Sequence, residues 1–367
     1  MKNISKKIAL AIISLSFLTS ASFAGEFTVT GGVKATYTIL SSGSANASQE
    51  SGKGLGVSNE FNLGASGELD NGWKWTYNQN IDDATVQDDA GLAIDFGSIG
   101  KVAINVSQGG LSTKYGFDAS AYGVGSDTGY SGGTTTTGAS ANNMQYGTNI
   151  SSYNNIQYHT PAGLLPFGIA AKVAVAPNAV VNANASSHAT GVANDGNGDQ
   201  ANEYQITAAP IDGLSIGASY FNKDGEASRQ QGYEAGSVTA KYAFGPVTVG
   251  YGVTKVALGI DSTVAASGAG IAHGYDNKAM SLGFKANDDL SFSYTVEKSD
   301  KLQKRKATAV AVTTNTRSNV EMEIDTIQAA YTMGGMTMSL SLKDVDNDSY
   351  SANKKVSETI LAVAMAF

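Results

Sequence analysis

The residues best equipped for chemistry are two serines in Gly-x-Ser-x-Gly frames, several aspartate clusters, and a set of lysines and acids spread along the chain. Ser215 lies in Gly213-Leu-Ser215-Ile-Gly217 and Ser131 in Gly129-Tyr-Ser131-Gly-Gly133. Such a frame activates a serine only at a sharp strand-to-helix turn with base and acid partners. The first falls in an alternating stretch and the second in a Gly/Ser/Thr-rich one. His188 and His273 fall in loops without an obvious serine partner, so no enzyme is expected. With no Cys there is neither a disulfide framework nor a thiolate metal site. Asp82, Asp83, Asp88 and Asp89 crowd one connection and could hold a loop calcium; solvated loop charge is the other reading. Asp195, Asn197 and Asp199 do not complete an EF-hand, because positions six and twelve are Gln200 and Ile206 rather than Gly and Glu. No other cofactor is expected.

The lysine and acid set depends on the elements that carry it. Leu290 to Glu297, Met336 to Lys343, Val247 to Thr254 and Ala279 to Ala286 alternate apolar with small or polar residues. Successive strand side chains point to opposite faces, so each stretch has one apolar and one polar face. Sixteen such strands are expected: 26–40, 57–69, 73–81, 92–97, 101–107, 153–160, 167–176, 202–209, 213–222, 232–244, 246–257, 277–287, 289–298, 321–333, 336–345 and 355–367. Asp70-Asn71-Gly72, Ser98-Ile99-Gly100, Gly245-Pro246, Asn287-Asp288 and Gly334-Gly335 form one set of tight connections. The other set is long and polar, with 108–152 the longest. All five prolines fall at connections or strand ends, as expected of a residue that cannot donate to a ladder.

The 367 residues contain 43 Gly, 17 Tyr and 12 Phe but only 5 Pro. At 15% the charged fraction is low against a typical ~25%. Residues 1–24 combine Lys2, Lys6 and Lys7 with an apolar run and Ser22-Phe23-Ala24, the pattern of a cleaved signal peptide. Removing those three lysines takes the formal charge from −8 to −11, which excludes the basic stripe that nucleic-acid binding needs. Residues 25–367 then form one domain. Tight turns at one end and long loops at the other characterise outer-membrane barrels, whereas a soluble sandwich has no reason to alternate them. Closure also removes the edges that a bilayer does not tolerate. The expected fold is therefore all-β: a sixteen-stranded antiparallel transmembrane β-barrel. Phe27, Trp73, Phe96, Phe167, Tyr242, Phe244, Phe284, Phe292, Tyr331 and Phe367 gather near the tight-turn end as an interfacial girdle.

Five segments resemble the sixteen-stranded general diffusion porins of Gram-negative bacteria. Glu26-Phe-Thr-Val-Thr-Gly31 is similar to their first strand. Leu63-Gly64 through Glu68-Leu-Asp-Asn-Gly-Trp73-Lys74 resembles the second strand and its turn. Phe96-Gly-Ser-Ile-Gly-Lys-Val102 resembles the fourth-to-fifth hairpin, and Asn155-Ile-Gln-Tyr-His-Thr-Pro161 the sixth strand. Terminal Phe367, after Leu361, Val363 and Met365, looks like the signal read by the outer-membrane insertion machinery. The resemblance implies an outer-membrane homotrimer and passive diffusion of small hydrophilic solutes and ions. It implies short periplasmic turns, long extracellular loops and a third loop, 108–152, folded inward as a constriction. The chain departs from the family where arginines often line the pore: it has Asn59, Glu60 and Ser107 there. Its three arginines, Arg229, Arg305 and Arg317, fall in expected loops, and 108–152 lacks a Pro-Glu-Phe-Gly-Gly signature.

Strand parity assigns Lys34, Lys74, Lys101, Lys172, Lys241, Lys285 and Lys343 to the lumen, with Glu60, Glu68, Asp95, Glu297 and Glu358. A lysine facing lipid at mid-membrane would cost ~2–4 kcal/mol. The expected eyelet sets Lys34, Lys172 and Lys343 against Asp118 and Asp127, with Glu297 and Glu358 at similar height. The lumen favours anions and the acidic loops attract cations, so the sign of selectivity stays open. Glu323 and Asp325 share parity with Ile327 and Tyr331; they lie above the membrane or a bulge shifts the register. Lys298, Lys301, Lys304, Arg305 and Lys306 form a basic run in the seventh long loop that could meet lipopolysaccharide phosphates. Gly31 and Ala35 on the outer face of the first strand would permit close subunit contact. The alternative function is a substrate-specific outer-membrane channel, with its solute site in 108–152.

Overall fold

Alternating side chains commit the chain to strands, and pairing every strand on both sides closes them. The computed structural model describes residues 25–43, 51–82, 89–126, 144–177, 179, 200–223, 229–258, 260–261, 271–306 and 313–367. The signal-peptide reading of 1–24 lies outside them. The strands are β1 (Glu26–Gly43), β2 (Ser51–Glu68), β3 (Lys74–Asp82), β4 (Ala90–Asp95), β5 (Lys101–Val106) and β6 (Asn155–His159). They continue with β7 (Ala170–Ala176), β8 (Ala201–Ala208), β9 (Leu214–Lys223), β10 (Arg229–Gln231), β11 (Tyr233–Phe244) and β12 (Val247–Ala257). The remainder are β13 (Ile260–Asp261), β14 (Ile271–Lys285), β15 (Leu290–Lys306), β16 (Thr313–Met333), β17 (Met336–Asp346) and β18 (Lys355–Ala366). Among the described residues, all except β10 and β13 form one closed sixteen-stranded barrel, each pairing antiparallel with its neighbours. The short β10 and β13 pair with each other.

The two ends of the chain make the seam. β1 pairs with β18 from Gly32↔Ala366 to Gly43↔Lys355. Phe367 extends it, exchanging backbone hydrogen bonds with Gly31 at 2.8 and 3.0 Å. A Cβ on Gly31 would come within 2.8 Å of the Phe367 ring, so this glycine makes room for the terminal aromatic side chain. That space is taken within the chain and is not open to a second subunit. Phe367 also packs edge-on against Phe61, ring centroids 5.6 Å apart.

Each barrel strand has an apolar and a polar face. Phe27, Val29, Leu55, Val57, Tyr251, Met280, Leu282 and Leu342 are exposed on the apolar one, Leu55 at 85%. Phe167, Phe244, Phe284, Phe292 and Phe367 of the expected girdle are exposed too, and Trp73 stacks edge-on with Phe96 at 4.6 Å. At the tight turns the backbone needs left-handed residues: Gly72 has φ +80° and Gly334 φ +59°.

Four strands run further than the alternation shows, among them β2, which starts at Ser51 rather than 57. β14 starts at Ile271, and β15 and β16 extend to Lys306 and from Thr313, pairing Lys306 with Thr313. The basic run is therefore on a strand, and Arg305 and Arg317 lie in strands rather than loops, as Arg229 does in β10. Apart from Leu302, residues 298–306 are polar on both faces, so they carry no period-two apolar signal. Glu323 and Asp325 keep continuous register with Asp346 and Asp344, so no bulge turns them. They stay on the apolar face, where Lys298 pairs with Glu323 at 2.9 Å and the Tyr294 hydroxyl donates to Asp325 at 2.5 Å.

Candidate functional site

The polar face of the wall is built of small and hydrogen-bonding side chains, and the segment joining β5 to β6 lies against it. Its outgoing limb, Ser107 to Ser126, starts at β8. There Glu203 accepts the N–H groups of Leu111 and Ile150 on one carboxylate oxygen, both at 3.0 Å. Gln205 donates to the Leu111 carbonyl at 2.6 Å. At β9 and β11 the Thr113 N–H reaches Ser219 at 3.0 Å, and its hydroxyl meets Ser237 at 2.8 Å. Phe117 is wholly buried against β12. A Cβ on Gly250 would strike the Phe117 carbonyl, and one on Gly252 would come within 2.7 Å of its ring. Only glycine at both positions lets the segment approach this closely. Further on, the Ala119 N–H donates to Ser281 at 3.0 Å and Lys241 to the Asp118 carbonyl at 3.0 Å. Gln328 of β16 donates to the Gly123 carbonyl at 2.7 Å.

Ser126 ends this limb on Glu297 of β15. Glu297 accepts the Ser126 N–H at 2.9 Å, the Ser126 hydroxyl, and the Tyr146 hydroxyl at 3.0 Å. Tyr146 belongs to the returning limb. Burial, and then the charge of Glu297, push its phenol well above the ordinary tyrosine range, so it remains a donor. Asn277 donates to the Gln145 carbonyl at 2.8 Å, and the Thr148 N–H meets the Tyr233 hydroxyl at 2.7 Å. Below Gly125, Lys343 pairs with Glu358 at 2.8 Å and donates to the Gly125 carbonyl at 3.2 Å.

These contacts change the expected eyelet. Lys343, Glu297 and Glu358 are buried between wall and segment, at 5%, 0% and 3% exposure, so they anchor rather than face water. Asp118 turns its carboxylate back onto the Ser120 N–H at 2.9 Å. It makes no ion pair with Lys34, Lys172 or Lys343 among the described residues. Alternation fixes which face a side chain takes but not what the 108–152 connection covers, so the burial was invisible to it. Lys34 is exposed, its ammonium 5.4 Å from the Tyr122 ring centroid. Lys172 is half-buried and stands opposite His159. Asp127, Asp83 and Asp88 lie outside the described residues. Asp82 ends β3, and the Asp89 carbonyl accepts the Asn80 N–H at 2.8 Å. Among the described residues no group of three or more metal-binding side chains converges.

Sequence reasoning missed Glu203, although its parity with Gln205 and Thr207 places it on the polar face. It also missed the anchoring roles of Tyr146, Ser126 and Gln328, which no local pattern marks. Ser215 lies in β9 with its hydroxyl 3.4 Å from the Lys241 carbonyl, not at a strand-to-helix turn. Ser131 lies outside the described residues.

The barrel has the fold of the sixteen-stranded bacterial porins. It superposes on a loop-deletion mutant of OmpT, an outer membrane protein of Vibrio cholerae, with TM-score 0.60 and 12% identity. That match covers 94% of this chain and 100% of the other. An anion-selective porin from Comamonas acidovorans matches with TM-score 0.60 and 13% identity, over 93% and 100% of the two chains. Salmonella typhi OmpF, in complex with daunomycin, matches with TM-score 0.57 and 14% identity, over 94% and 98%. No protein-family model and no curated protein matches the sequence.

Proposed function

We propose that the chain is an integral outer-membrane porin: a water-filled channel for passive diffusion of small hydrophilic solutes and ions, not a catalyst. One observation carries this reading. The closed barrel exposes a broad apolar face suited to lipid, while its other face is hydroxyl, amide and charge. Sixteen strands enclose an aqueous lumen, and a polar inner face keeps it wet. The segment between β5 and β6 meets the polar faces of β8, β9, β11, β12 and β14 to β17, which supports its lying inside as the constriction. A homotrimer is part of the proposal; a solved trimer form of Vibrio cholerae OmpT is similar, with TM-score 0.54 at 11% identity. Insertion through the terminal Phe367 and contact with lipopolysaccharide around the outer face belong to the same reading.

The test is single-channel recording of the detergent-folded protein in a planar bilayer. Stepwise conductance, linear in voltage and arriving in threes, is expected. Folded protein that never conducts would overturn the open pore. A cavity of about 670 Å³ favours a second reading, a solute-specific channel. Thr113, Lys114, Tyr115, Asn149, Thr207 and Ser215 line it. Saturable block by a single solute class, lost on Tyr115→Ala, would select that reading.

A further inference from the structure

The selectivity of the pore can be taken further than the count of lumen charges, on the basis of the channel reading above. Lys101 of β5, His159 of β6 and Lys172 of β7 are direct cross-strand partners: Lys101↔His159 and His159↔Lys172. Their side chains share the polar face, where opposite residues on neighbouring strands stand about 4.5–5.5 Å apart at Cβ. Lys101 and Lys172 thus flank the imidazole, two strand spacings or about 10 Å apart. Among the described residues no carboxylate pairs with Lys101 or Lys172. The next acid along the row, Asp95, stands opposite Lys101 but accepts the Gly97 N–H at 2.8 Å.

The imidazole is held in one orientation. The Gln157 amide donates to the Gly109 carbonyl and to Asn155 at 2.9 Å. Its oxygen must therefore accept from His159 Nε2–H, at 2.8 Å. The row immediately toward the long loops contains Gln157, Ala174 and Glu203, to which the segment is fastened. The basic row thus borders the constriction on its tight-turn side. All three side chains are half-buried, which limits screening by bulk water.

The rest of the lumen leans the same way. Lys343, Glu297, Glu358 and Glu203 are withdrawn beneath the segment, each with partners there. The parity set outside these buried groups comprises Lys34, Lys74, Lys101, Lys172, Lys285 and Lys241, whose ammonium donates to the Asp118 carbonyl, against Glu60, Glu68 and Asp95. We propose that Lys101 and Lys172, which flank His159, form a binding station for small oxyanions, phosphate or carboxylate, at the tight-turn mouth of the constriction, and that the channel prefers anions.

The experiment is bilayer recording of the full, folded protein with inorganic phosphate as the probe. In a tenfold KCl gradient the wild-type channel should pass chloride several-fold better than potassium. Phosphate added on the tight-turn side should reduce the current. K101Q/K172Q, checked for folding by heat-modifiable gel migration, should bring the ion preference close to unity. It should also raise the half-blocking phosphate concentration at least fivefold. K285Q, on the far wall, should change that concentration less than twofold. Cation preference in a conducting wild type would overturn the proposal and leave the pore standing. So would phosphate block that K101Q/K172Q does not weaken, or that K285Q weakens equally. A folded protein without conductance would overturn both.

Discussion

Glu203 receives the Leu111 and Ile150 N–H groups on one oxygen, so a single carboxylate fastens both limbs of the segment between β5 and β6. Glu203→Ala leaves two buried donors without acceptors, at about 1–3 kcal/mol each. The expected result is a noisier open channel and new protease cleavage within 107–154, with the barrel as heat-resistant as before. Quiet wild-type current from this variant would contradict the anchoring role. Gly250→Val places a side chain against the Phe117 carbonyl and should lift the segment from β12, raising conductance without unfolding the wall. The Lys343–Glu358 pair tests burial itself. Lys343→Met strands a buried carboxylate and should cost about 3–5 kcal/mol in chemical unfolding. Adding Glu358→Leu should recover most of that loss. Single losses that simply add would mean that the pair is solvated.

At the level of the strand, position along the sequence decides which solvent a side chain meets. Val57 and Ser58 are neighbours on β2, one apolar-facing and one polar-facing. Val57→Lys should destabilise the barrel by up to ~2–4 kcal/mol, according to its depth in the bilayer. Ser58→Lys should cost far less, as read from guanidinium midpoints in lipid vesicles. Equal losses would contradict the face assignment. The sixteen strands, their tight turns and the polarity of each face were legible because period two needs only neighbouring residues. The reach of β14 to β16 was not, since Lys298 to Lys306 carry a single apolar residue, Leu302, and so no alternation. The anchoring of the segment was not legible either. Ser126 and Glu297 are 171 positions apart, and no local pattern announces a contact of that separation. Burial then moved Lys343, Glu297 and Glu358 from the water-facing set to the supporting one, while Lys101 and Lys172 stayed half-exposed.

For the molecule as a whole, the seam between β1 and β18 has a consequence in time rather than in space. Every other strand pairs with a neighbour close in the chain, but this pairing joins the first strand to the last. Loop-closure entropy makes such a contact slow to form. No shorter chain can substitute for it: without residues 355–367, β1 and β17 would each present a bare edge to lipid, where unpaired backbone groups are not tolerated. The barrel therefore has no stable half-built form in the bilayer. The polypeptide must be kept from folding and aggregating until its final residues have been made and delivered, and its completion is a single late event.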